Sequence, residues 1–345
     1  MKKSTIAFLA ATICSLLLLV YLYHNFSSNN ARGAFLKNGG FKRNNLSVNF
    51  KIKNEYDLSE GNYNVVGMLD DKIIIKEFET GSLILLTEDN LKSEVSLPGF
   101  IKQRGVNNLS INPFEKNVVD IKCNGTVFEF DVTKRKIGKS YNFKNFYYKA
   151  LRASKNSFYA ISQIDTTSKA GLILAQFDAN GELVNARNSG LVIDPMRQDG
   201  NLIIANSDLI YINYYNNNIS KIDSSFKTLS TYKTIDTITV LPRTVNIKNN
   251  TITKFVNQPR PVNQLVRATS TYLFINSYVK ADNDAESNSL NSETIDVYDI
   301  KNSDKYKGTI YVKKSNNNRV QDFFVRDNKL ILQYPNKTLS YEFSL

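Results

Sequence analysis

The polar and apolar positions alternate in short runs with a period of two along most of this chain, the pattern of strands with one face buried. Leu46, Val48, Phe50 and Ile52 give the first such run. Further runs follow in groups: 63–69, 72–78 and 82–87; 117–122 and 126–132; 158–163 and 172–177; 208–214 and 218–222; 272–279 and 294–298; then 322–325, 329–334 and 338–343. Asn124-Gly125, between two alternating runs, is a hairpin signal because both residues tolerate the positive φ of a type I′ turn. A dipeptide of one apolar or Thr residue plus an acid recurs at Thr87-Glu88, Phe130-Asp131, Phe177-Asp178, Ile222-Asp223 and Tyr298-Asp299, in steps of 43, 47, 45 and 76 residues. A four-stranded propeller blade takes about 40–50 residues, so this spacing predicts an all-β propeller.

Six units can be counted, with a seventh left open by the weakly patterned stretch 238–267, where 239–241, 244–247 and 251–256 read as extra strands of an enlarged fifth blade or as part of another. Pro259 and Pro261 argue for a surface loop there. The last unit has only three strands, and the segment Leu46–Lys53 is expected to supply the missing outer one, closing the ring and removing free sheet edges. The recurring acid is expected to cap the turn between the outer strands of a blade by accepting backbone N–H groups.

Before this region, Thr5 to Phe26 carries no charged residue if His24 is neutral, and Lys2 and Lys3 precede it. About 20 apolar residues span a bilayer core, and flanking lysines hold the N-terminus in the cytoplasm. An uncleaved anchor with residues 27–345 outside the inner membrane, in the periplasmic or extracytoplasmic space, is favoured over a cleaved signal. The one tolerable cleavage site, Ala31-Arg32-Gly33, lies well beyond the apolar run. The organisation expected is a cytoplasmic N-terminus (1–4), a transmembrane signal-anchor (5–26), a flexible linker rich in Gly, Asn and basic residues (27–45), and the propeller (46–345).

The composition narrows the chemistry. There are no Trp, 20 Phe, 19 Tyr, two cysteines and one histidine, with a net charge of +12. Cys14 falls in the apolar run, so Cys123 has no intramolecular disulfide partner. The basic residues are scattered singly apart from Lys134-Arg135-Lys136, which suits a solvated surface, and no nucleic acid partner is expected. The single histidine, His24, sits at the membrane boundary, which excludes a Ser-His-acid triad, an imidazole base or a His-ligated metal in the domain. No cofactor is expected. Asp282, Asp284, Glu286 and Glu293 match the carboxylate spacing of a calcium loop, but Ser287 stands where that loop needs glycine and no helices are predicted beside it, so a metal is not expected. Phe143, Phe146, Tyr147 and Tyr148 interleave with Lys149 and Arg152, a pattern that can stack a ligand and hold its charge, or simply alternate in a blade strand.

The Phe177-Asp178-x-x-Gly181 turn, the spacing of about 45 residues and the N-terminal anchor make the chain resemble membrane-anchored six-bladed β-propellers of bacterial envelopes, whose function is uncharacterised. The resemblance implies a fold and no activity. Three classes of function remain. One is a module that binds an envelope protein or peptide through blade-top loops 98–108, 238–268 and 280–293. Another is a histidine-independent hydrolase or lyase using Asp120, Asp322 and Arg326, and the third is a glycan- or polyanion-binding module.

Overall fold

The computed structural model describes residues 15, 40–102, 110–123, 125–143, 146–163, 173–187, 196–197, 199–247, 252–284, 291–302, 304–315 and 318–345. Strand β1 (Asn49–Asp57) precedes five four-stranded blades and a final group of three strands. Blade one holds β2 (Tyr63–Leu69), β3 (Lys72–Glu77), β4 (Leu83–Leu86) and β5 (Lys92–Val95). Blade two holds β6 (Ser110–Glu115), β7 (Val118–Cys123), β8 (Thr126–Asp131) and β9 (Lys136–Asn142). Blade three holds β10 (Phe146–Ser154), β11 (Ser157–Gln163), β12 (Ile173–Asp178) and β13 (Leu183–Arg187). Blade four holds β14 (Gly200–Ala205), β15 (Asp208–Asn213), β16 (Asn218–Ile222) and β17 (Thr228–Lys233). A separate hairpin, β18 (Thr244–Ile247) and β19 (Ile252–Phe255), comes next. Blade five is β20 (Asn263–Ala268), β21 (Tyr272–Ser277), β22 (Ser292–Asp299) and β23 (Lys305–Lys313), and β24 (Asp322–Arg326), β25 (Lys329–Gln333) and β26 (Lys337–Ser344) complete the chain.

Each blade is an antiparallel meander. The sixth has the order β1-β26-β25-β24, so the first strand of the domain closes the last sheet. Six blades therefore form the ring. The stretch 238–267 contributes neither a seventh blade nor an enlargement of the fifth: β18 and β19 pair only with each other, and 239–241 forms no strand. Among the described residues α-helix within the domain is confined to one turn, Gly99–Lys102, and the single residue Asn291, and no helix is long and apolar enough to cross a membrane. The apolar run 5–26, Ser15 apart, lies outside the described residues.

The core is a stack of six apolar layers, one between each pair of neighbouring blades. Middle strands are buried on both faces and so become continuous apolar runs. In β3, Ile74 faces blade two while Ile73 and Ile75 face blade six. Burial of one such side chain contributes about 1.5–3 kcal/mol, so the layers carry the stability of a domain with no disulfide among its described residues. Cys123 is one of the buried residues between blades one and two, as its alternation with Val119 and Ile121 predicts.

The recurring acids cap the outer turns. Asp131 accepts hydrogen bonds from the backbone N–H groups of Thr133 and Lys134, Asp178 from Asn180 and Glu182, Asp223 from Ser225 and Lys227, and Asp299 from Lys301 and Asn302. These bonds, with the Ser225 hydroxyl leading at Asp223, hold the Asp178, Asp223 and Asp299 carboxyls below the usual range, and each turn is tightened at the rim of its blade. Gly181 is required in its turn, because φ is +76° and a Cβ there would fall 1.9 Å from the carbonyl oxygen of Asn142 in blade two. In blade one Thr87 takes over, its hydroxyl accepting from Leu91 N–H, and Glu88 instead pairs with Lys329 of blade six.

The end of the expected linker is docked. Phe41 is buried among Ile235, Val262, Val279 and Ala281, and Asn45 forms a parallel bridge with Thr309 of β23. Residues 40–45 thus belong to the propeller, because burial of Phe41 and Arg43 outweighs the freedom that Gly39-Gly40 and the asparagines suggest. The alternation 46–52 is also met differently: Leu46 and Val48 pack on the layer between blades five and six, while Phe50 and Ile52 are exposed. A register shift between Ile52 and Asn54 turns Tyr56 inward instead.

Candidate functional site

The innermost strands β2, β6, β10, β14, β20 and β24 line the ring, and their charged groups tie one blade to the next. Asp322, at the start of β24, accepts from the Arg267 guanidinium at 2.8 Å and from Val65 N–H at 3.0 Å, joining blades five, six and one. Burial raises the Asp322 carboxyl, with Arg267 opposing that rise. Arg152 holds Asp120 by two bonds of 2.6 and 2.7 Å and Glu129 at 2.9 Å, linking blade three to blade two. Its guanidinium also lies 3.9 Å from the centre of the Phe114 ring. Burial alone would lower the Arg152 pKa, and the two carboxylates outweigh it and raise it. Lys122 beside them donates to the Ala150 carbonyl, and burial pushes its ammonium down to about 8. Arg326 donates to the carbonyls of Met68 and Asp70, again between blades six and one. Asp120 therefore sits at the contact of blades two and three, while Asp322 and Arg326 lie at opposite ends of β24 beside blade one, and the three do not converge on one point.

The aromatic and basic series is split by the same logic. Phe143 is buried between blades two and three, edge-on to Phe158 and Phe177. Lys149 turns toward blade four, reaching Asp199 at 2.9 Å and the Tyr214 ring at 4.7 Å, whereas Arg152 turns toward blade two. The side chains of Phe146, Tyr147 and Tyr148 lie outside the described residues. Adjacent odd and even positions of one inner strand face opposite blades, so spacing in sequence does not gather these groups.

The loop carboxylates hold a strap. Arg43 donates to Asp296 at 2.9 and 3.1 Å, to Asp284 at 2.6 Å and to Ser277 at 3.1 Å, all buried. Tyr311 donates to the other oxygen of Asp284 at 2.7 Å, and the Asp282 side chain accepts from Gly40 N–H. Glu293 lies 3.4 Å from Arg319, and Glu286 is outside the described residues. Two of the carboxylates that match the spacing of a calcium loop, Asp282 and Asp284, thus serve the incoming chain, and among the described residues no group of three His, Cys, Asp or Glu side chains is placed to hold a metal ion. The sequence offered one signal of this, an arginine in a stretch otherwise lacking acids to pair with it.

Beyond Arg43 the strap crosses the edge of blade five at Gly308, where a Cβ would come within 2.9 Å of the Leu46 Cβ, and enters the side facing blade six. Between strap and blade five lies an open cleft of about 1010 Å³, bordered by Leu46, Val48, Phe50, Ile310, Lys313 and Lys314. Its far wall is the start of β1, which among the described residues is the last strand of its sheet and presents an open edge. Phe50 is 40% exposed and Ile52 56% exposed on this edge strand. The site combines an unpaired row of backbone groups, two exposed apolar side chains and flanking lysines, an arrangement that can take an extended chain.

No family model and no curated protein matches the sequence. Solved structures do. The chain is similar to a candidate exported protein from Bacteroides fragilis, at 9% identity over 89% of this chain and 98% of the other, with a TM-score of 0.53. It is also similar to a member of the DUF4221 family from Bacteroides vulgatus, at 12% identity over 88% and 99%, with a TM-score of 0.51. A third is a catalytically inactive histidine-to-alanine variant of virginiamycin B lyase from Staphylococcus aureus with quinupristin, at 12% identity over 86% and 99%, with a TM-score of 0.50. What these share with this chain is the fold. It is a six-bladed β-propeller. Neighbours of this propeller include proteins named as exported and a lyase, so the architecture does not choose an activity.

Proposed function

We propose that the chain is an extracytoplasmic propeller, anchored in the inner membrane through residues 5–26, that binds an extended segment of an envelope protein or peptide along the open edge of β1. The observation that carries this reading is the juxtaposition of that edge, its exposed Phe50 and Ile52, and the cleft of about 1010 Å³ under the strap. The exposed Lys51 and Lys53 of this edge discourage indiscriminate pairing, and the exposed Phe50 and Ile52 alternating with them offer apolar anchors to a matched strand. Backbone bonds supply affinity, and side-chain anchors beside them supply selectivity. The ion pairs Arg152–Asp120 and Arg267–Asp322, each spent between blades, also favour binding over catalysis by those groups. So does the absence from residues 25–345 of any histidine, the residue type whose replacement accompanies inactivity in the lyase variant.

The test is a photo-crosslinking amino acid at the exposed Ser47, introduced into the full chain and activated in intact cells. A discrete adduct with a protein or peptide is expected, and Ile52→Asp, at an exposed position, should abolish it while leaving the unfolding midpoint unchanged. No adduct, or an adduct indifferent to Ile52→Asp, removes the proposal.

A further inference from the structure

Between Asp236 and Asp282 the sequence contains no acidic residue and carries Arg243, Lys248, Lys254, Arg260, Arg267 and Lys280. The hairpin β18–β19 projects from this stretch without pairing to any blade. One side of it is fixed: Phe255 packs edge-on against Tyr215 of blade four, and Arg197 donates to the Pro242 carbonyl at its base. The side away from the ring is open. Val245, paired with Lys254, is 46% exposed, and Val240 and Val256 are 76% and 51% exposed, with Arg243 and Lys254 exposed among them. Apolar groups ringed by cations and free of carboxylates are complementary to an anionic lipid surface, where acyl chains take the valines and headgroups take the charges.

The strap ties the base of this hairpin to the chain that leads back to the apolar run. Phe41 packs between Ile235 and Val262, the two roots of the insertion, and a Cβ on Gly40 would touch Thr237 at 3.7 Å. Only residues 27–39 separate Gly40 from Phe26, the end of the apolar run. Thirteen residues reach at most about 45 Å. Each strand of the hairpin is four residues, about 13 Å, long.

We propose that the hairpin β18–β19 rests on the anionic bilayer that holds the anchor, with Val240, Val245 and Val256 in the interface and Arg243 and Lys254 against phosphate headgroups. This rests on the anchored reading given above. The contact is a second, weak attachment beside the covalent one, and it fixes which face of the ring is turned away from the membrane. The cost of aligning the ring is offset by the tether, which keeps the hairpin at high local concentration near lipid.

The chain has no tryptophan, so Val245→Trp introduces a single reporter. The full chain is reconstituted in vesicles of phosphatidylglycerol and phosphatidylcholine carrying brominated acyl chains, and a parallel Leu91→Trp chain reports from an outer turn of blade one. Expected are blue-shifted emission and strong bromine quenching at position 245 only, fading in pure phosphatidylcholine and at high salt. Arg243→Gln with Lys254→Gln should weaken the docking equilibrium up to roughly thirtyfold, the factor for two surface cations. Solvent-like, unquenched emission at 245 in a chain that resists carbonate extraction overturns this inference and leaves the anchor standing. Release of the chain by carbonate overturns the anchored reading itself. A crosslink from position 245 to a protein, with no quenching by lipid, assigns the hairpin to a protein partner and also overturns the proposal.

Discussion

Arg43 and Asp296 are joined by two parallel hydrogen bonds of 2.9 and 3.1 Å across 253 residues of chain, and the pair is shielded almost completely from solvent. The bidentate geometry fixes both the position and the orientation of the strap, which a single ammonium could not do. With Asp284 on the third nitrogen, the guanidinium bridges two carboxylates of blade five just before the chain passes to blade six. Ring closure is therefore double, through β1 on β26 and through this clamp on the neighbouring blade.

Arg43→Ala leaves Asp284 and Asp296 buried without their cation and is expected to destabilise the propeller by roughly 3–5 kcal/mol in urea unfolding. Arg43→Lys should recover only part of that loss. A midpoint for Arg43→Ala within about 0.5 kcal/mol of the parent would show that the clamp does not close the ring.

At Gly308 a side chain would meet the Leu46 Cβ at 2.9 Å and the Asn44 carbonyl at 3.2 Å. Gly308→Leu should lift the strap while the blades stay folded. The Thr309 amide, which donates to Asn44, should then exchange with solvent faster, and trypsin should cut sooner after Lys42 and Arg43. Unchanged exchange at Thr309 would contradict the close crossing.

The blade count and turn chemistry were legible because they are local. An acid following an apolar strand residue meets N–H groups two to four residues on, and that is what Asp131, Asp178, Asp223 and Asp299 do. The strap was not legible, since the carboxylates that hold Arg43 stand 241 and 253 residues away. The alternation from Leu46 to Ile52 suggested one buried face, but the chain crosses from one blade to the next within it, so its apolar residues divide between a layer and an open edge. Strand patterning found 244–247 and 251–256 but could not tell a free hairpin from a blade, because pairing partners are set by tertiary contacts. The aromatic and basic cluster failed as a group for a related reason: Lys149 and Arg152 differ by an odd number of positions and face different blades.

Asp322 is the polar joint of three blades, and its two replacements should separate charge from shape. Asp322→Ala strands both Arg267 and the Val65 N–H and is expected to cost about 3–5 kcal/mol. Asp322→Asn keeps an acceptor and should cost less than half as much in the same urea titration. Equal losses would mean that the carboxylate charge alone holds the joint.

The outer-turn acids set the pH response. Backbone N–H groups lower the Asp178 and Asp299 carboxyls, and the Ser225 hydroxyl and backbone N–H groups lower Asp223. A carboxyl with a lowered folded pKa stabilises the native state above its unfolded value, near 3.9, and this contribution is lost as pH falls through the folded value. Buried Asp120 and Asp322 act in the opposite sense, because burial raises their folded values and so favours their protonation in the native state. The triple change of Asp178, Asp223 and Asp299 to Ala should therefore lower stability at pH 7 and flatten its fall below about pH 4, relative to the parent chain. Unfolding midpoints measured down the acid limb decide it: parallel curves for parent and variant would show that these carboxylates do not bind their turns as ions.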